Sequence, residues 1–128
     1  MADRARVNLL EVPDTVAGRV EGIQGHFGRG PVGARDIGVS LWRYAPDTRN
    51  AMGHKHREQE EAYLVISGSG EILLDGEVIA LRQWDLVRVA PEVVRAFAAG
   101  PDGLEIVAVG GPKPEGGDGE AAPVTWPG

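Results

Sequence analysis

Glycine and proline interrupt this chain so often that long helices are excluded. Nineteen glycines and nine prolines occur among 128 residues, well above their usual combined share of about 12%. Between Gly18 and Gly111 no window of about ten residues carries an amphipathic helical pattern free of both residue types. The sequence therefore predicts an all-β protein.

Short segments of alternating apolar and polar residues mark the predicted strands. The alternation is clearest over residues 61–67, where Tyr63 and Val65 share a face with the glutamate that opens the segment. Asp75 and Gly76 separate two such segments, and this pair suits the positive backbone angles of a tight hairpin turn. We expect further strands at residues 39–44, 86–89, 94–98 and 104–109, with turns at 68–70 and 100–103. This spacing favours an antiparallel barrel or sandwich.

The two ends of the chain are less regular. Residues 6–12 could form another strand, and the six glycines of residues 22–38 indicate loops or a glycine-interrupted strand. We expect one domain over residues 1–109, with its core at 39–109, followed by a Gly/Pro-rich tail at 110–128 whose composition does not favour order. Trp126 leaves two alternatives open, an anchor on the barrel or on a second subunit, or a dangling terminus.

Charge and composition exclude several partners. Thirteen Lys and Arg against nineteen Asp and Glu give a net charge of -6, which disfavours binding to nucleic acid or anionic lipid. Cysteine is absent, so neither a disulfide framework nor a thiol nucleophile can form. No apolar run reaches membrane-spanning length, and the first ten residues lack the apolar stretch of a signal peptide. We therefore expect a cytoplasmic protein without nucleic-acid or membrane partners.

Two of the three histidines stand one residue apart. In an extended segment His54 and His56 would present both imidazoles on one face, and Glu61 follows closely enough to add a carboxylate. Two imidazoles and one carboxylate can hold a divalent transition metal and leave positions open for substrate, water or dioxygen. For the third histidine, His26, an ordinary hydrogen-bonded role is favoured over that of an additional ligand. Glu60 should face away from Glu61 and be solvated.

The spacing His54-x-His56-x4-Glu61-x6-Gly68 resembles the first motif of the cupin superfamily, whose members are small antiparallel β-barrels carrying a metal. The resemblance spans residues 41–109, with Thr48 in place of the family's leading glycine. It implies an antiparallel double-stranded β-helix, or jelly-roll barrel, that forms a homodimer. It also implies an Fe, Mn, Ni or Zn ion bound by the two histidines and the glutamate. If the protein is an enzyme, the resemblance implies a metal-dependent dioxygenase or isomerase.

The second cupin motif is degraded, because its histidine position falls on Arg95. Arginine stays protonated and offers no lone pair to a metal. Three interpretations follow. Arg95 could clamp an anionic substrate beside the metal, it could pair with Glu61 in a metal-free barrel, or the alignment could slip and leave Arg95 in solvent. The first is slightly favoured over the second, and the third is the least favoured.

Three residues are predicted to contact substrate: Tyr63, Phe97 and Arg95. Of these, Tyr63 and Arg95 are also the candidate catalytic groups, Tyr63 as a proton donor. Either Trp42 or Tyr44 could add to the lining from an earlier strand. Together these residues predict a pocket that acts on or binds a small molecule, anionic if Arg95 contacts it. The alternative is a non-enzymatic binding or sensing barrel, which would be metal-free where Arg95 pairs with Glu61.

Overall fold

The computed structural model describes residues 3–16 and 19–128, which form a single eight-stranded antiparallel sheet with almost no helix. The strands are β1 (Ile23–Phe27), β2 (Gly38–Tyr44), β3 (Met52–His56), β4 (Glu61–Leu74), β5 (Glu77–Leu81), β6 (Leu86–Val89), β7 (Arg95–Gly110) and β8 (Gly119–Pro123). In the part of the chain that the structure describes, helix is confined to a 3-10 turn at Leu9–Glu11 and to α1 at Arg29–Val32. The predicted all-β, double-stranded β-helix fold is confirmed. Among the described residues, no helix has the length and apolarity needed to cross a membrane.

The two longest strands, β4 and β7, pair with each other along most of their length and form the spine of the sheet. On the other edge of β4 lie β5 and β6. On the other edge of β7, β2 and then β1 follow its C-terminal half, while β3 and then β8 follow its start. This arrangement places β3 beside the first residue of β7, and it is there that the candidate site lies.

The turns predicted at residues 68–70 and 100–103 are wrong, because both segments lie inside the continuous strands β4 and β7. The ladder between these strands shifts register on either side of Gly68. A Cβ built on Gly68 would lie 2.0 Å from the carbonyl oxygen of Gly103, and one on Gly70 would lie 2.1 Å from that of Ala98. These glycines therefore permit a close backbone approach and a bend, and do not close a hairpin.

The predicted hairpin between β4 and β5 is confirmed, with positive φ at both Asp75 (47°) and Gly76 (88°). The strand considered for residues 6–12 is wrong, because this segment contains the 3-10 turn. Its start is capped by Asn8, whose side chain accepts the N–H of Leu10. A short polar side chain of this kind competes with strand pairing for backbone donors.

The expectation that the C-terminal segment would not order is also wrong. Residues 119–123 form β8, which pairs with all of β3. Trp126 anchors the end of this segment on the barrel, because its indole N–H donates to the carbonyl of Asn50 at 2.8 Å. The guanidinium of Arg49 lies over the indole ring, 5.7 Å from its centroid, within the range of a cation–π contact.

The core lies between the inward faces of the sheet. The alternation predicted that Tyr63 and Val65 share one face of the strand. In the structure this face is buried, while Ala62, Leu64 and Ile66 on the other face are only partly covered. The largest fully buried apolar side chains are Ile72, Leu73, Leu104, Ile106 and Val65. The candidate site forms at the edge of this core, where polar side chains from β3, β4 and β7 meet.

Candidate metal centre

The structure brings together the three predicted metal ligands. His54 and His56 leave the same face of β3, and Glu61 opens β4 after a short connection. Their potential ligand atoms all lie within 4.8 Å of one another. Glu61 Oε1 is 3.0 Å from His56 Nε2 and 3.4 Å from His54 Nε2. Imidazole nitrogens and a carboxylate oxygen in this number suit a divalent transition metal.

The group is open to solvent on one side only. The side chain of His54 is 40% exposed, whereas those of His56 and Glu61 are 11% and 14% exposed. The ring of His54 stands edge-on to that of His56, with centroids 5.2 Å apart. Of the three side chains, that of His54 therefore forms the solvent-facing side of the group.

Tyr63 and Glu61 form a tight pair at the inner side of the group. The buried hydroxyl of Tyr63 donates to Glu61 Oε1, and burial and the Glu61 charge together raise the pKa of Tyr63 well above its ordinary value. Burial alone would raise the pKa of Glu61, but its polar contacts with His54, His56 and Tyr63 outweigh burial and hold that pKa far below the ordinary range. Glu61 is thus ionised, and Tyr63 is a neutral donor to it.

Arg95 lies at the base of the same site and is completely buried. Its Nη2 is 3.7 Å from Glu61 Oε1. Nη1 donates to the carbonyls of Val93 and Pro91 at 2.8 and 3.2 Å, and Nη2 donates weakly to that of Ala90 at 3.4 Å. The interpretation that Arg95 faces solvent is therefore wrong. The separation from Glu61 is compatible with both remaining interpretations.

The ring of His56 lies between two carboxylates, those of Asp118 and Glu61. Nδ1 lies 2.9 Å from Asp118 Oδ1. Nε2 is buried and, although near Glu61, makes no aligned hydrogen bond. The contact with Glu61 raises the pKa of His56, burial opposes that rise, and Asp118 adds to it. In a metal site, the ligating ring nitrogen faces the other ligands and makes no hydrogen bond, while the other ring nitrogen contacts a carboxylate. Nε2 and Nδ1 of His56 have this arrangement, so the residues present fit a metal ion.

Asp118 is the residue of the site that the sequence did not identify. It precedes β8 and is buried, with Oδ2 accepting the N–H groups of Glu58 and Gln59 at 2.7 and 2.9 Å. Burial would raise its pKa, but these backbone donors and His56 together lower the pKa of Asp118 to about 2. The only local sequence signal for Asp118 is one acidic residue between glycines, a composition that is typical of a solvated loop.

Two other residues considered from the sequence, His26 and Glu60, lie outside the group of proposed ligands. His26 is buried on β1, where its Nδ1 lies 2.7 Å from the carbonyl of Val12, which supports its ordinary hydrogen-bonded role. Glu60 is exposed and pairs with Arg88 at 3.0 Å, on the side away from Glu61.

The aromatic candidates divide in the same way. Phe97 is buried against the ring of Tyr63, with centroids 5.0 Å apart. Tyr44 is buried behind Phe97, with ring centroids 6.1 Å apart, whereas Trp42 packs edge-on against Phe27. Of the two earlier-strand candidates, Tyr44 is therefore the one that packs behind the site.

Comparison with known proteins identifies the family. The cupin domain family model matches residues 40–110, more than half of the chain, so the chain belongs to the cupin family. The cupin family predicted from the spacing of the histidines and the glutamate is confirmed. A search of curated protein sequences gives no match.

Solved structures share the fold. A cupin protein from Bacteroides fragilis has 21% identity and a TM-score of 0.72, with 88% of this chain and 86% of that chain covered. A sugar phosphate isomerase of the cupin superfamily from Silicibacter pomeroyi has 18% identity and a TM-score of 0.70, with 85% and 76% covered. A variant of salicylate 1,2-dioxygenase from Pseudoaminobacter salicylatoxidans, in complex with gentisate, has 17% identity and a TM-score of 0.66. In that pair 77% of this chain is covered but only 27% of the dioxygenase. At these identities the likeness shows the fold alone.

Proposed function

We propose that this cupin binds a divalent transition metal, Fe, Mn, Ni or Zn, through His54, His56 and Glu61, and that the loaded pocket acts on a small anionic molecule. The observation that carries the proposal is the convergence of both ring nitrogens on Glu61 Oε1, at 3.0 and 3.4 Å. The one-sided exposure of His54 supplies an entrance to it.

Three protein ligands would leave coordination positions free, as in sites with two histidines and one carboxylate. The metal would supply Lewis-acid or dioxygen chemistry when bound. Arginine side chains are positively charged at physiological pH. A carboxylate or phosphate oxygen that reaches the base of the pocket would therefore meet a charge-assisted donor. Arg95 is in this proposal the substrate clamp, and it also offsets the charge of Glu61.

Tyr63 and Phe97 would complete the pocket. The Tyr63 hydroxyl donates to Glu61 in the present arrangement, so its first role is to orient that carboxylate. Its further role as a proton donor to substrate is part of the proposal, as is contact of the substrate with Phe97. Positions of this kind, on strands and behind the ligands, hold catalytic groups rigidly.

The reaction class that we propose is that of a cupin dioxygenase or isomerase. Support comes from the open coordination of the ligand set and from relatives of the fold named for anionic substrates, salicylate and sugar phosphate. We also propose that the chain is a homodimer, as the cupin resemblance implies, and that it is cytoplasmic.

A second candidate function is favoured by the 3.7 Å separation between Arg95 Nη2 and Glu61 Oε1. A guanidinium at this distance already neutralises the carboxylate and repels an incoming cation. The barrel would then be a metal-free module that binds or senses a small molecule without turnover.

Elemental analysis separates the two candidates. The protein is purified without chelator or affinity tag, alongside His54→Ala and the control His26→Gln, which alters a histidine outside the group. We expect near-stoichiometric transition metal in the wild type and the control, and its loss in His54→Ala. Absence of metal from the wild type after supplementation with Fe, Mn, Ni and Zn would favour the metal-free candidate. Dioxygen consumption by the loaded protein with a panel of small acids then tests for a dioxygenase.

A further inference from the structure

Asp118 reaches His56 from a part of the chain outside the residues that match the cupin family. It lies just before β8, yet its carboxylate is buried beside the ligand strand β3. The pairing of β8 with β3 places Gly119 opposite His56. The C-terminal segment therefore brings an acid directly behind a proposed metal ligand.

Asp118 has three polar partners, and each of them can donate a hydrogen bond to its carboxylate. Oδ2 accepts two backbone N–H groups, from Glu58 and Gln59 at 2.7 and 2.9 Å. Oδ1 lies 2.9 Å from His56 Nδ1. Because the carboxylate only accepts, Nδ1 of His56 must carry the proton in this contact.

A neutral His56 with its proton on Nδ1 has its lone pair on Nε2. That nitrogen is the one that lies 3.0 Å from Glu61 Oε1 and has no aligned hydrogen bond. Asp118 therefore selects the tautomer that presents a ligand atom to the group. It also fixes the plane of the ring, since its other oxygen is tied to the backbone.

We infer that Asp118 is a positioning residue for the metal centre, which holds His56 in the Nδ1–H tautomer and fixes the orientation of its ring. The inference rests on the proposed metal-binding function. Outer partners of this kind, a carboxylate behind a ligating histidine, typically contribute about 10- to 100-fold to metal affinity.

Asp118→Asn tests the inference because it keeps the shape of the side chain and replaces one acceptor oxygen with a donor NH2 group. The carbonyl of asparagine must turn to the N–H groups of Glu58 and Gln59, which leaves its NH2 group facing His56 Nδ1. Nδ1 must then accept, and the proton moves to Nε2, where it blocks the lone pair. Asp102→Asn is the matched control, because Asp102 is exposed.

The measurement is Zn²⁺ affinity by competition with a chelator, together with ¹⁵N NMR of the His56 ring in the zinc-loaded protein and in the metal-free protein above the pKa of His56. We expect the Nδ1–H tautomer in the wild type and in Asp102→Asn, and an affinity about 10- to 100-fold lower in Asp118→Asn. Nδ1 without a proton in the neutral wild-type ring, or an unchanged Zn²⁺ affinity in Asp118→Asn, would overturn the inference and leave the metal site standing. If Asp118→Asn does not fold, the wild-type tautomer decides. Lack of Zn²⁺ binding by the wild type would instead overturn the proposed function, and the inference with it.

Discussion

His54 on β3 and Arg95 on β7 are direct cross-strand partners. Side chains at opposed positions of an antiparallel pair leave the same face of the sheet. Arg95 therefore occupies the side of the barrel on which the cupin motif would place a further imidazole, opposite a proposed ligand. The replacement retains the position of the side chain and exchanges a lone pair for a fixed positive charge.

Arg95→His should strengthen metal binding and weaken anion binding. Arg95 Nη2 lies 3.7 Å from Glu61 Oε1, and two unit charges about 4 Å apart interact by roughly 1 to 4 kcal/mol. Removing the guanidinium therefore removes a repulsion of this order from a cation held beside Glu61, and a new imidazole can coordinate. We expect Zn²⁺ affinity to rise about tenfold or more and the affinity for small carboxylates to fall about tenfold, both measured by calorimetric titration. Arg88→His, which alters the exposed partner of Glu60, is the control. Unchanged affinity for both ligands in Arg95→His would contradict a role of Arg95 in the site.

Tyr63→Phe should destabilise the metal-free protein more than Tyr44→Phe does. Both hydroxyls are on buried residues, but Tyr63 donates to an ionised carboxylate and Tyr44 to the neutral side chain of Asn50 at 3.0 Å. Hydrogen bonds to charged groups contribute about 1.5–3 kcal/mol and neutral ones about 1 kcal/mol. Urea unfolding in EDTA measures the difference. Equal losses of unfolding free energy in the two variants would show that the hydrogen bond from Tyr63 to Glu61 contributes no more than a neutral one.

The metal-free protein should lose the stabilisation that comes from the contact between His56 and Glu61 as the pH rises above 6.5. The folded-state pKa of His56 lies above its ordinary value of 6.5, so its contribution is complete below that pH and is lost as the pH rises through the folded-state pKa. The pKa of Glu61 lies below its ordinary value of 4.5, so its contribution is present above that pH and is lost in acid. The stabilisation is therefore fullest between these two values.

Urea unfolding in EDTA from pH 6 to 9 checks this dependence. We expect the free energy of unfolding to fall over this range more steeply in the wild type than in His56→Gln. Excess Zn²⁺ should reverse the trend, because a metal ligand must be deprotonated and zinc binding strengthens as His56 loses its proton. Parallel pH profiles of the wild type and His56→Gln in EDTA would count against the contact.

The convergence of the three proposed metal ligands could be predicted from the sequence because their arrangement is local. Strand geometry alone places His54 and His56 on one face, and Glu61 is close along the chain. Asp118 could not be predicted, because it meets His56 across a separation of 62 residues and its flanking glycines give no periodicity. Its placement depends on β8 pairing with β3, a tertiary contact that overrides an unfavourable local composition.

At the glycines of β4, too, a tertiary contact overrides the local sequence pattern, here by making a strand where a turn is predicted. At Gly68 and Gly70 the local pattern is that of a turn, whereas in the fold both residues lie inside a strand. The property that decides between the two is the distance to β7, more than twenty-five residues away in sequence. Glycine is required by both situations, so its presence does not discriminate between them.

Gly70→Ala should therefore destabilise the protein strongly. An added Cβ would lie 2.1 Å from the carbonyl oxygen of Ala98, and this atom belongs to the paired backbone of β7, which cannot move without breaking the spine of the sheet. We expect a loss of about 3 kcal/mol or more, at the upper end of overpacking effects. Gly111→Ala is the control, since a Cβ there meets nothing within 4 Å. Urea unfolding of both variants measures the contrast, and a Gly70→Ala protein as stable as Gly111→Ala would show that β4 and β7 do not approach closely at this point.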